Sequence, residues 1–257
     1  MMQPRVWAMN LDGPRLAVTL LTVFPVRHMV SPDRKTAGAA MLWAPAVGAV
    51  LGVVGAAVLR GGRWLDGPLA GAALAVGALA ALTRGLHLDG LADLADGLGS
   101  GRDENGALEV MRKSDIGPFG VVTLVLTLVI QVAALSHGAD QEAALIAAVI
   151  TGRLAITWAC RTGVPAARGG GLGAMVAGTV PTRAVAAITS AVIAAGAGLA
   201  AAGLVRPVVP AGAVAGLVAA WLLRGHAIRR LGGITGDVLG AVAETATTVC
   251  LVVATAR

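Results

Sequence analysis

The sequence predicts an all-α fold, a polytopic integral membrane bundle of about six to seven transmembrane helices with interfacial or re-entrant elements. Three observations carry that prediction. The chain is 56% hydrophobic and 13% charged, with a mean hydropathy of +0.80, whereas an ordinary soluble domain carries about 25% charge. Apolar runs recur that approach or reach the ~20 residues a helix needs to cross a bilayer. Lysine and arginine, finally, concentrate in alternate connections between those runs, as the positive-inside rule requires.

The elements follow in chain order. The stretch 16–26 is too short to span and is expected at the interface. Crossing helices are expected over 38–59, 67–83, 118–136, 143–160, 184–205, 207–223 and 237–256, with 67–83 and 207–223 at the short end of the spanning range. The 36 glycines and the abundant alanines allow helices to approach closely, so a tight bundle is expected, although compositional bias alone would raise both counts. No repeat and no Pro/Ser-rich linker divides the chain, so residues 1–257 read as a single membrane-embedded domain. Residues 1–14 contain Asn10, Asp12 and Pro14 rather than a clean apolar core, so no cleavable signal peptide is expected. Cys160 and Cys250 each sit in an apolar run without C-x-x-C spacing, which argues against a disulfide or a zinc site.

A net charge of +6 raises the possibility of a nucleic-acid partner, but its distribution argues against one. The connections at 27–37, 84–117, 161–183 and 224–236 hold thirteen cations: Arg27, Arg34, Lys35, Arg84, Arg102, Arg112, Lys113, Arg161, Arg168, Arg183, Arg224, Arg229 and Arg230. The opposite side holds four, Arg60, Arg63, Arg206 and Arg257, while Arg5 and Arg15 precede the first span and Arg153 lies inside one. The thirteen-cation side is therefore expected to face the cytoplasm of a multi-pass cell-membrane protein. The polar segments at 87–97, 109–117, 167–173 and 231–237 all fall on that side, as a cytoplasm-facing active site would require.

The richest of these is 83–120, TRGLHLDGLADLADGLGSGRDENGALEVMRKSDIGPFG. Asp89, Asp93 and Asp96 stand at i, i+4 and i+7, so a helix puts all three carboxylates on one face. Mg²⁺ prefers such oxygen donors, one or two carboxylates with phosphates and waters completing the shell. The alternative is a solvated helix end standing clear of the bilayer. His87 lies on another face and reads as a packing or substrate-side residue. Asp237 and Glu244 form a second i, i+7 pair. Glu244 lies inside an apolar run, where it either shares a metal with the Asp89 cluster or stays protonated and hydrogen-bonded. Gly232, Gly233 and Gly236 precede a helix whose N-terminus suits phosphate. Arg168 and the glycines through Gly173, Gly171 among them, form a cationic loop. Arg112, Lys113, Arg161 and Arg168 are candidate contacts to a diphosphate, or interface anchors. Arg153 either pairs with an acid of the cluster or snorkels toward the end near Arg161.

Together these segments resemble the cobalamin synthase family, adenosylcobinamide-GDP ribazoletransferase. GLHLDGLADLADGL at 85–98 is similar to its H-x-D-G-L-A-D-x-x-D-G block, and LEVMRKSDIGPFG at 108–120 to its L-E-x-M-…-G-x-x-G block. ARGGGLG at 167–173 resembles its A-R-x-x-G-L-G loop, and LGGITGDVLGAVAE at 231–244 its G-G-x-T-G-D-x-L-G-A-x-x-E block. Phe24 and Pro25 fit its short N-terminal pattern, so the likeness runs from about residue 16 to the C-terminus. Lys113 and Asp115 depart from the pattern, while Ser114 and Gly117 keep it.

The resemblance implies an enzyme that attacks adenosylcobinamide-GDP with a hydroxyl of α-ribazole or its 5′-phosphate, releasing GMP. It implies Mg²⁺ held by Asp89, Asp93 and Asp96 with Asp237 and Glu244. Asp89, Asp93 and Asp237 are the catalytic candidates, Asp237 as general base. His87, Arg112, Lys113, Ser114, Arg153, Arg161, Arg168, Gly171 and Gly233 are the expected substrate contacts. The expected partners are those small molecules and the lipid bilayer, without nucleic acid, and a homo-oligomer is allowed. A CDP-alcohol phosphotransferase is the nearest rival, but Asp89-Gly90-Leu91-Ala92-Asp93 lacks the arginine of D-G-x-x-A-R. A cation-coupled transporter would spread its acids through several spans instead of crowding them at one face.

Overall fold

Residues 11–26 and 32–256 are described by a computed structural model, and among them every regular element is an α-helix. Arg5, Arg27 and Arg257 of the cation count, and residues 1–10 of the leader reading, lie outside the described residues. α1 (Asp12–Leu21) starts earlier than the apolar stretch and stops at Thr22, where the backbone turns extended at φ −139° and ψ 171°. α2 (Arg34–Asp66) outruns its apolar run at both ends. Asp33 caps it by accepting from the Thr36 amide at 2.7 Å, and its 33 residues reach about 50 Å, more than the ~30 Å hydrocarbon layer.

Gly67, at φ +93°, reverses the chain into α3 (Pro68–Leu82), whose 15 residues are short for a crossing. Left-handed backbone at Arg84 and Gly85 then breaks the path, and α4 (Leu86–Gly99) leaves at 88° to α3. The remaining elements are α5 (Glu104–Val110), α6 (Pro118–His137), α7 (Gln141–Ala159), α8 (Gly171–Val176), α9 (Thr182–Ala201), α10 (Val208–Leu231) and α11 (Gly236–Ala254). Among the described residues six helices are long and apolar enough to cross a membrane: α2, α6, α7, α9, α10 and α11. The expected 67–83 crossing is therefore not met by α3 alone; the bent pair with α4 is what would make a seventh.

Small residues bring the crossing helices together, as the composition predicts. A Cβ at Gly48 or Gly52 of α2 would sit 2.9 Å from the α7 backbone. One at Gly212 or Gly216 of α10 would meet the Cys250 or Ala246 carbonyl of α11 at 2.7 and 2.5 Å. These i, i+4 glycine pairs give van der Waals contact where lipid provides no hydrophobic drive. α9 is the exception: almost none of it is buried, and it lies on the outside of the bundle.

α4 lies across the starting turns of two crossing helices. Its Gly90 meets Asp237, and His87 meets Gly240, both early in α11. At its other end Asp96 accepts from the amides of Gly117 (2.7 Å) and Gly120 (2.9 Å), capping α6. α4 is therefore a bracket at one end of the bundle rather than a further crossing helix.

Candidate functional site

The four polar segments meet at that end. Residues 165–167 and 234 are tied by backbone bonds from the Ala167 amide to the Ile234 carbonyl (3.0 Å) and from the Ile234 amide to the Pro165 carbonyl (2.9 Å). Gly233 fits beneath this loop because a Cβ there would sit 2.5 Å from the Ala167 nitrogen. Arg168 donates from Nη2 to the Leu108 carbonyl at 2.5 Å, and Arg230 from Nη2 to the Arg102 carbonyl at 3.0 Å, joining 108 and 102 to the same cluster. Arg34 donates to the carbonyls of Ala174 and Ala177 and so holds the C-terminal end of α8.

A cavity of about 310 Å³ opens between these segments. Asp89, His87, Arg168, Gly171, Thr235 and Asp237 are among its walls. Thr235 caps α11, its Oγ1 accepting from the Val238 amide at 3.2 Å and donating to Asp237 Oδ2 at 3.1 Å. That bond fixes one oxygen of Asp237 beside the helix N-terminus, where backbone amides and the macrodipole favour an anion. His87 is buried, and its Nδ1 has no hydrogen-bond partner among the described residues.

Asp93 and Asp96 line a second cavity of about 210 Å³ with Lys113 and Asp115. Burial pushes the half-buried Asp93 carboxyl up to about 6, with Asp89, Asp237 and Asp96 adding repulsion and Arg168 opposing it. Burial, then Arg112, pulls Arg168 below its usual value, while Asp237 and Asp93 counteract. Asp89, Asp93, Asp237, Arg112 and Arg168 thus form one electrostatically coupled group. A hard divalent cation suits its three mutually repelling carboxylates. Among the described residues no three acid, histidine or cysteine side chains are gathered closely enough to hold a metal by themselves. Phosphate oxygens from a substrate would have to complete such a shell.

A family model described as cobalamin-5-phosphate synthase matches residues 13–255. The chain belongs to that family. An adenosylcobinamide-GDP ribazoletransferase of Frankia casuarinae is 42% identical over 262 residues, 93% of each chain. Another from Nocardioides sp. is 43% identical over 247 residues, 96% of this chain and 99% of its own. One from Pseudomonas paraeruginosa is 36% identical, covering 91% of this chain and 94% of its own. No solved structure matches the chain. As a cobalamin-5-phosphate synthase family member the chain is a transferase of cobalamin synthesis, acting in nucleotide-loop assembly, and neither the CDP-alcohol phosphotransferase nor the transporter reading is favoured.

In this family member the five acids expected at one metal do not share one cavity. Asp89 and Asp237 line the first and Asp93 and Asp96 the second. Asp96, buried at 7% exposure, already spends both oxygens on the start of α6. Glu244 lies deeper along α11, accepting from Gln131 Nε2 at 3.0 Å in a third cavity that Arg153 also lines. Arg153 thus lies within electrostatic reach of an acid, Glu244 and not the triplet, without a direct ion pair. Arg161 stands near Arg224, away from the 310 Å³ cavity. Ser114 sits on an exposed bend, and Gly233 supports the loop without lining the cavity. Sequence reasoning missed Thr235, Gln131 and the Leu108 carbonyl. Thr235 carries an N-cap signal and Gln131 is a lone amide in an apolar run, so both were findable; a backbone carbonyl leaves no trace in sequence.

Proposed function

We propose that the chain joins adenosylcobinamide-GDP to α-ribazole or its 5′-phosphate and releases GMP at the cavity between α4 and the start of α11. The observation that carries this reading is the meeting of Asp89, Asp237 and Arg168 around one cavity, in a chain whose relatives bear that transferase name. A volume of about 310 Å³ suits a nucleotide diphosphate and not a corrin ring, so the macrocycle stays outside the pocket.

Arg168, steadied by the Leu108 carbonyl, binds the diphosphate through charge-assisted bonds, with Arg112 adding positive potential. The N-terminus of α11 presents amides to the phosphate beside Gly236. The α-ribazole hydroxyl attacks the cobinamide-side phosphorus; the new P–O bond forms as the P–O bond to GMP breaks. Asp237, oriented by Thr235, takes the hydroxyl proton. Together with the substrate's phosphate oxygens, Asp89, Asp93 and Asp237 would hold Mg²⁺, which when bound would neutralise the diphosphate and the departing GMP. The cation asymmetry supports a cell-membrane protein whose site faces the cytoplasm.

The test uses purified protein in lipid nanodiscs with adenosylcobinamide-GDP, α-ribazole and Mg²⁺, with GMP followed by chromatography. GMP release that needs both α-ribazole and Mg²⁺ is expected. Folded protein that releases no GMP would overturn the proposal.

A further inference from the structure

Arg153 and Glu244 are charges that the proposed chemistry does not use. Arg153 lies in α7 at 4% exposure, and its Nε has no hydrogen-bond partner among the described residues. Glu244 lies eight positions into α11, about 12 Å along the axis from Gly236. Both line one cavity of about 30 Å³ with Thr83, Leu88 and Gln131. They stand beyond direct ion-pair contact, yet each lies within the electrostatic reach of the other. The cavity they share has room for a water molecule. Gln131 of α6 closes the network, donating to Glu244 at 3.0 Å and to Thr248 at 2.9 Å.

Unpaired charges at this depth are costly, and removing one member of a buried pair strands the other. The network also lies directly beneath the bracket helix. Glu244 is one helical turn from Gly240, whose added Cβ would meet the His87 carbonyl oxygen at 3.0 Å, and Arg153 acts electrostatically on His87. Along α11, Asp237, Gly240 and Glu244 therefore form one line: acid of the site, seat of α4, and counter-charge below.

We propose that Arg153 and Glu244 form a charge pair inside the bundle, bridged by water and braced by Gln131, which positions α4 on α11 and so sets the spacing of Asp89 from Asp237. Glu244 is then a positioning residue and not a metal ligand. The positioning role rests on the function proposed above; the pairing does not.

The experiment is a double-mutant cycle of Glu244→Gln and Arg153→Met in the full chain in nanodiscs. Unfolding is followed without divalent cations, and then kcat, KM and half-saturating Mg²⁺ are measured. Each single substitution is expected to lower Tm by more than about 5 °C, and the double variant to recover most of that loss. Additive losses overturn the pairing. Should neither single variant be recovered folded, the double decides alone, folding for the pair and failure against it. In the double variant kcat is expected to fall roughly tenfold, with KM and half-saturating Mg²⁺ within about twofold of the parent. Unchanged kcat overturns the positioning role, and a half-saturating Mg²⁺ raised more than tenfold makes Glu244 a ligand and overturns it as well. Loss of all activity in the parent protein would instead count against the transferase reading and leave the stability cycle intact.

Discussion

Asp93 sits where three other carboxylates reach it and one arginine opposes them. Its folded value of about 6 lies above the ~3.9 of an unfolded aspartate, so its charged form is the disfavoured one. The penalty is fully present above the folded value, is relieved as pH falls through about 6, and is gone below ~4. Metal-free protein should therefore gain thermal stability between pH 7 and pH 5, and Asp93→Asn should flatten that rise in a fluorimetric melt. Arg168 carries the complementary expectation. Arg168→Met removes a charge-assisted contact worth about 1.5–3 kcal/mol, so KM for the diphosphate substrate should rise ten- to hundredfold, read from initial rates. The acids and Arg168 were legible as residue types at helical or loop spacing. The division of labour among the acids was not, because Asp96 is claimed by two amides from α6 and Glu244 by an amide from the same helix. Those partners stand 21, 24 and 113 positions away along the chain, beyond any local pattern.

α4 was legible as a helix with one acidic face, but its direction was not. The 88° turn depends on left-handed backbone at Arg84 and Gly85 and on the docking of Gly90 against Asp237. An added Cβ at Gly90 would sit 2.8 Å from the Asp237 Cα and carbonyl oxygen, too close for either backbone to accept without moving. Gly90→Ala should therefore cost about 1–3 kcal/mol by overpacking and lower kcat by shifting Asp89 against Asp237, measured by melting and by GMP release. Asp96→Ala tests the other end of the same helix. It strips the start of α6 of its cap and should cost about 2 kcal/mol, while half-saturating Mg²⁺ in the folded fraction stays near that of the parent.

For the whole molecule, six of the crossing helices and their order followed from hydropathy, because a bilayer admits few solutions for a chain this apolar, whereas the expected crossing at 67–83 is at most half of a bent pair. Less legible were the ends: α2 and α10 continue as helix past their apolar runs, since caps and packing, and not hydropathy, set where they stop. The cation asymmetry makes a topological prediction. With both native cysteines buried, Ser114→Cys should react with an impermeant maleimide only in inside-out vesicles, and Asp66→Cys, at the far end of α2, only in right-side-out ones. The central claim is that Asp89 and Asp237, brought from distant parts of the sequence to one cavity, perform the transfer. Its most direct measurement is kcat for Mg²⁺-dependent GMP release by Asp89→Asn and Asp237→Asn, each verified as folded by its melt. A loss of at least about a hundredfold in both is expected; parent-like kcat in both would contradict the claim.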